Sequence, residues 1–248
     1  MINGVIIRPT GNDTAIVESA VVRSMQKEVS LAIQRKFPNV EQVAFSEGDY
    51  LQMAGGEFCG NAARAFGYLK SNGEDASVKF KMSGTTDVIN VVIKDHNSKL
   101  VLPINLSYAD MVSVVNDGVW LAKVPGITHL VITENSELFN RQATDDYVLE
   151  LMDKFNLRSE LAAGVMFWDT KKSALFPHVF VRDTGTLYAE TACGSGTIAC
   201  ALTAKNNGVM TITQPSGMAL SVSVLIRDDI VLSAAIDGPV QMVERFEI

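Results

Sequence analysis

One pattern, written twice, constrains this chain more than any other feature. Glu57-Phe58-Cys59-Gly60-Asn61-Ala62-Ala63-Arg64 and Thr191-Ala192-Cys193-Gly194-Ser195-Gly196-Thr197 each place a cysteine directly before a glycine where a helix should start. Cys59 and Cys193 are 134 positions apart (193 − 59), about half of the 248 residues. The repeat runs beyond the motifs. Lys81-Met82-Ser83-Gly84 precedes the alternating run Val88–Ile93, and Gln214-Pro215-Ser216-Gly217 precedes the alternating run 220–225. Cysteine to serine spans 24 positions in the first half (83 − 59) and 23 in the second (216 − 193). Self-similarity at a fixed period signals a duplicated unit, so helix, turn and strand are expected to recur in two similar halves. If the halves face each other, two thiols lie on opposite sides of one cleft.

Short β-rich runs separated by Gly, Asn, Asp and Ser clusters dominate both halves. Strands are expected at Val5–Arg8, Ala15–Glu18, Gln42–Phe45, Tyr50–Met53, Val78–Met82, Val88–Ile93 and Leu100–Ile104. The second half repeats the plan at Val119–Ala122, Leu130–Thr133, Val165–Trp168, Leu175–Val181, Val209–Thr213, Leu220–Ile226 and Ile230–Ala235. Helical periodicity marks Val21, Val22, Met25, Val29, Ile33 and Phe37 as one face, and Val148, Leu151, Met152 and Phe155 as another. A helix also follows each cysteine, with Gly73 and Gly208 as candidate stops. The fold class is therefore α+β. The expected domains are residues 1–117, carrying the last strand 238–248, and residues 118–237, with the boundary near Asn116–Gly118.

Composition narrows the function. A net charge of −7 with no basic cluster excludes nucleic acid as the expected partner, because phosphate binding needs grouped Lys and Arg. No apolar run approaches the roughly 18 residues of a membrane span, and the N-terminus has no basic segment followed by an apolar one. Three cysteines are few and odd in number, which suits reduced thiols and a cytoplasmic location. Neither Cys-x-x-Cys nor a neighbouring His supports zinc at Cys59 or Cys193. Cys200, two turns along the second helix, reads as core.

A helix N-terminus offers unpaired N–H groups and partial positive charge. A thiol there is expected to have a lowered pKa. A dipole contribution of roughly 0.3–1 kcal/mol, about 2 when partly buried, moves it about one unit from its usual ~8.5. Gly60 and Gly194 lack a Cβ, so a carboxylate could approach the amides of Gly60, Asn61, Gly194 and Ser195 closely. Such amides would also stabilise the enediolate formed when an α-proton leaves.

These residues resemble the diaminopimelate epimerase family of amino-acid racemases and epimerases, over essentially the whole chain. Gly11-Asn12-Asp13 is similar to that family's N-terminal turn, both cysteine segments to its two cysteine motifs, and Gly238-Pro239-Val240-Gln241-Met242-Val243 to its last strand. The resemblance implies two pseudo-symmetric domains, each a curved, mostly antiparallel sheet or barrel around a central helix, with the site between them. It implies Cys59 and Cys193 as the acid/base pair, with no pyridoxal phosphate, other cofactor or metal.

The departures concern the substrate. The family's diaminopimelate-binding arginine has no counterpart near Thr186; its Asn-Pro-His reads Ile127-Thr128-His129; its Gly-Val-Asn-x-Asn reads Gly164-Val165-Met166-Phe167-Trp168. Leu51-Gln52-Met53-Ala54-Gly55-Gly56-Glu57-Phe58-Cys59-Gly60-Asn61-Ala62, with Glu41-Gln42-Val43 and Pro125-Gly126-Ile127-Thr128-His129, resembles the histidine racemase branch, whose D-histidine serves opine-type metallophores. That branch implies interconversion of L- and D-histidine, and Asn12, Gln42 and Gln52 as polar contacts to imidazole or amine, unless the glutamines are solvated or strand-edge amides. His129 either lies near the α-amino or carboxylate group or is a core histidine; His96 and His178 read as structural or surface residues. Glu57 and Glu190 each cap a helix or hold the substrate's ammonium, with one of them assigned to the ammonium. Diaminopimelate or another amino acid is the second reading, and a non-catalytic amino-acid binder or thiol redox protein the third. A small-molecule amino acid is the expected partner, and a homodimer is compatible with the chain.

Overall fold

The computed structural model describes residues Met1–Ile248. The first half runs β1 (Asn3–Pro9), β2 (Asp13–Val17), α1 (Arg23–Lys36), β3 (Val40–Glu47), β4 (Tyr50–Met53), α2 (Gly60–Lys70), β5 (Ala76–Met82), β6 (Ile89–Lys94) and β7 (Asn97–Ser107). A short helix, α3 (Tyr108–Met111), leads into β8 (Val112–Asn116), β9 (Val119–Val124), β10 (Ile127–Thr133), α4 (Asp145–Lys154), β11 (Ala162–Asp169), β12 (Ala174–Val181), β13 (Thr186–Ala189), α5 (Gly194–Thr203), β14 (Val209–Thr213), β15 (Ala219–Arg227) and β16 (Ile230–Glu247).

The halves repeat in pairing pattern as well as in order. From β1 to β7 successive neighbours pair antiparallel, parallel, antiparallel, parallel, antiparallel, antiparallel. The path β9–β10–β11–β12–β14–β15–β16 runs through the same six senses. β16 joins the two. Its first part pairs with both β15 and β7, and its last residues pair with β1, closing the first half into a ring. α2 touches every strand of that ring, and α5 packs inside the second half against β9, β10, β11, β15 and β16.

Each parallel pair near the start of a half is covered on its outer face by an amphipathic helix. α1 brings Val29 and Ile33 onto Ala15, Val17, Val43 and Phe45. α4 brings Val148, Leu151 and Met152 onto Leu130, Ile132, Val165 and Phe167. β10 and β11 are consequently buried along their whole length, as parallel strands between two helical layers should be.

Several sequence expectations shift. The buried face of α1 is Gln26, Val29, Ser30 and Ile33, while Val22 and Met25 are exposed. The reason is polar: Arg23 donates to the carbonyls of Met53 and Ala54 and to the Gln26 amide oxygen, so this face anchors the loop before Cys59. The helix stops are Asn72 and Lys205, not Gly73 and Gly208. Both take left-handed conformations, and in each case the next amide reaches back to Tyr68 or Ala201, as in a Schellman cap. α2 has 11 residues and α5 has 10, which accounts for the 24 and 23 spacings. The expected boundary near Asn116–Gly118 falls at the turn of the β8–β9 hairpin, because Asn116 pairs with Val119. β7, the strand before that hairpin, ends at Ser107. α3, β8 and β13 have no counterpart in the sequence reading, being short and weakly patterned.

Candidate functional site

The two cysteine helices meet end to end. Cys59 and Cys193 are the N-cap residues of α2 and α5, with nearly equal backbone angles (φ −132°, ψ 113° and φ −126°, ψ 108°). Each thiol accepts the amide of the residue three positions on: Ala62 N–H to Cys59 Sγ at 3.4 Å, and Gly196 N–H to Cys193 Sγ at 3.3 Å. The cysteines thus play the part Ser, Thr or Asp usually plays. Glu57 and Glu190 are not the caps. A Cβ on Gly60 would lie 3.7 Å from Gly194 Cα, so the first turns face each other without side chains between them.

A cleft opens at this meeting point. It is lined by both cysteines, by Gly60, Asn61, Gly194 and Ser195 at the helix ends, and by Glu57, Glu190 and Gln42. No lysine, arginine or histidine lines it. With no cationic side chain in the lining, the amide-rich helix N-termini supply its positive potential. The carboxyls are Glu41, Glu57 and Glu190, whose pKa values are pushed up to about 7, about 7 and about 8, chiefly by burial.

The same burial overrides the helix-dipole effect at the cysteines. Both thiols are raised above their ordinary range, first by desolvation and then by the charge of Glu190; the helix amides only offset part of this. Cys193 is 2% exposed and Cys59 half-buried. The lowered thiol pKa expected from sequence is thus reversed without a ligand, because desolvation of a thiolate outweighs a helix end worth about 1 kcal/mol.

Hydrogen bonds stitch the halves together directly beside Cys193. Asn61 Nδ2 donates to Ala192 O at 2.7 Å, and Asn12 Nδ2 to the same oxygen at 3.4 Å. Gln42 Nε2 donates to Glu190 Oε1 at 2.6 Å. The two β-turns that repeat between halves also cross over. A Cβ on Gly11 would strike Ser216, and one on Gly126 would strike Gly84 O and Phe58, and both glycines have positive φ. Each half's turn is therefore seated on the other half's Ser-Gly turn.

Of the sequence candidates, Cys59, Cys193, Gln42, Glu57, Gly60, Asn61, Glu190, Gly194 and Ser195 converge on the cleft. Asn12 lies just behind it, through Ala192 and Glu41. Gln52 does not line it; its amide donates to Met53 O at 2.9 Å. His129 is fully buried outside the lining, with neither ring nitrogen hydrogen-bonded, and burial lowers its pKa to about 3. Cys200 is buried in the core, His178 is buried and His96 is exposed. Glu41, Gln34 and Tyr188 line the cleft and escaped the site reading, since lone polar residues on a strand or helix carry no spacing signal.

A family model described as the histidine racemase CntK N-terminal domain matches residues 1–247. The chain belongs to the histidine racemase family. That membership makes it an isomerase. A histidine racemase of Fusobacterium nucleatum subsp. nucleatum is 28% identical, with 98% of this chain and 94% of the relative covered. Among solved structures, a phenazine biosynthesis PhzF family protein of Enterococcus faecalis is similar at TM-score 0.63 and 13% identity, covering 100% of this chain and 99% of that one. A hydroxyproline epimerase of Agrobacterium vitis is similar at TM-score 0.62 and 9% identity, covering 99% and 91%. At these identities the structural likeness is one of fold, and it includes two pseudo-symmetric domains. No helix is long and apolar enough to cross a membrane.

Proposed function

We propose that the chain interconverts L- and D-histidine by a two-base mechanism in which Cys59 and Cys193 act on opposite faces of the α-carbon. The observation that carries this reading is the pair of cysteine N-caps on two abutting helices in one cleft. One cysteine, as thiolate, takes the α-proton; the electron pair moves into the carboxylate as an enediolate; the opposite thiol returns a proton and becomes the thiolate. The roles are reversed for the other enantiomer.

The amides of Gly60, Asn61, Gly194 and Ser195 have no intrahelical carbonyl to bond. They are assigned to the substrate carboxylate, where they favour the enediolate more than the ground state. Glu57 and Glu190 are assigned to the ammonium. A cation there offsets the Glu190 charge that adds to burial in keeping both thiols protonated, so substrate binding itself favours the thiolate. The remaining lining is carboxyl, amide, hydroxyl, phenol and apolar with no cationic side chain, which suits an uncharged or cationic side chain such as imidazole better than a distal carboxylate. Thr186 lines this part of the cleft, where the resemblance would require an arginine for diaminopimelate. The domain division at residue 117, a cytoplasmic location and a supply of D-histidine to metallophore synthesis belong to the same proposal.

The test is incubation with L-histidine in D₂O, followed by chiral separation and mass spectrometry. D-histidine carrying one α-deuterium is the expected product. Absence of both exchange and inversion would sink the histidine assignment, and the same assay on a panel of L-amino acids would then locate the substrate.

A further inference from the structure

Glu41 sits on β3 of the first half and bonds mainly to the second. Its carboxylate accepts Thr191 N–H at 3.1 Å, Thr191 Oγ1–H at 2.5 Å and Asn12 Nδ2–H at 2.5 Å. Thr191 and Ala192 are the two residues that lead into Cys193. Ala192 O is in turn held by Asn12 and Asn61. Every side chain bonded to Thr191 and Ala192 therefore comes from the first half, with Glu41 supplying the only charge. Glu41 also lines the cleft itself. With Tyr188 it forms a wall shared between the cleft and a surface groove that includes Arg8, Asp13 and Thr191.

We propose that Glu41 is a positioning residue that fixes Cys193 opposite Cys59 by clamping the Thr191–Ala192 segment to the first half. The inference rests on the reading of Cys193 as an acid/base group, but the clamp can be measured without any substrate. A carboxylate suits the role because it accepts several hydrogen bonds at once, and charge-assisted bonds are short and strong. Burial, with a smaller contribution from Asp13, raises the Glu41 pKa to about 7 against the bonds from Thr191 and Asn12. Arg8 is committed to Asp13, while Glu190 and Tyr188 are raised chiefly by burial and then by the charge of Glu41. Protonation places a donor where three donors already point, so the clamp weakens as pH falls through about 7.

The test compares wild type, Glu41→Gln and Thr191→Val by site-resolved alkylation with iodoacetamide at about pH 8, with each cysteine peptide quantified by mass spectrometry. Freed from its clamp, Cys193 should label about fivefold faster relative to Cys59 in Glu41→Gln, and by a smaller factor in Thr191→Val, which loses one hydroxyl. In wild type the Cys193-to-Cys59 labelling ratio should also change through pH 7, and Glu41→Gln should abolish that change. In the racemase assay Glu41→Gln should lower kcat about tenfold or more with KM within about twofold, as expected of misplacement and not of lost binding. An unchanged labelling ratio, or an equal rise at both cysteines, overturns the proposal. Thr191→Val keeps the test decisive if Glu41→Gln does not fold. Failure of histidine racemisation would leave the labelling result standing on its own.

Discussion

Gly60 and Gly194 confront each other across the seam between the halves. A Cβ on either would lie within 3.7 Å of the other's Cα, and one on Gly194 would also come within 2.6 Å of Ile236 Cδ1. This contact brings two helix N-termini to one point. It follows from neither glycine alone but from the two halves sharing β16.

Gly194→Ala is expected to push Ile236 aside and to put a methyl group over the proposed carboxylate site. Loss of kcat/KM should reach about a hundredfold, since displacement of a reacting group by about 1 Å can cost that much. Gly60→Ala should cost less, its nearest neighbour being Ile236 Cδ1 at 3.1 Å. Steady-state kinetics on both variants, with circular dichroism to confirm folding, decides the order.

Cys59→Ser and Cys193→Ser should each lower racemisation by about a thousandfold or more, within the range by which positioned acids and bases accelerate proton transfer. Neither should unfold, because serine is a strong N-cap and can accept the Ala62 or Gly196 amide in place of sulfur. Wild-type kcat/KM should climb with pH through neutrality, because thiols raised by burial and by Glu190 become thiolates only as pH rises. Full activity in either variant would remove the two-base mechanism.

Stability should fall with rising pH across neutrality. Glu41, Glu57 and Glu190 have folded pKa values of about 7, 7 and 8 against an unfolded value of 4.5. Between these limits the native state binds more protons than the unfolded one, so their contribution is full below 4.5 and lost as pH rises through 7–8. His129, lowered from 6.5 to about 3, acts oppositely: the native state binds fewer protons, and stability is lost as pH falls below 6.5. Three carboxyls outweigh it, and above 6.5 nothing from His129 opposes them. Thermal denaturation should show its steepest loss between about pH 5.5 and 7, easing off towards pH 8 as the native carboxyls ionise, and Glu190→Gln should flatten that slope.

Arg64 is fully buried in α2 and donates to Ser98 O at 2.8 Å, Gly238 O at 2.7 Å and Thr10 Oγ1 at 3.0 Å. It ties the central helix to β7 and to the point where β16 passes towards β1. Arg64→Ala should cost about 3 kcal/mol or more, since each buried acceptor left unpaired costs about 1–3. Urea denaturation measures this. A loss below about 1 kcal/mol would mean that water replaces the guanidinium.

The doubled Cys-Gly motif, its matching Ser-Gly turn and the alternating strand after each were legible because local periodicity and turn chemistry depend on neighbours in sequence. They determine two α+β halves and a helix after each cysteine, whereas the convergence of Gly60, Asn61, Gly194 and Ser195 depends on the halves being joined through β16. Gln52 and His129 were open because a strand residue's environment depends on which face its partners cover: β10 is buried on both sides, and His129 goes into the core. Glu41 was invisible as a site residue because its partners, Thr191 and Asn12, are 150 and 29 positions away. The tertiary structure alone decided the protonation of the site. A helix N-terminus taken by itself lowers a thiol's pKa, but closing two halves around Cys59, Cys193, Glu41, Glu57 and Glu190 desolvates these five groups. Desolvation scales with what surrounds a charge in space, and no spacing along the chain records it.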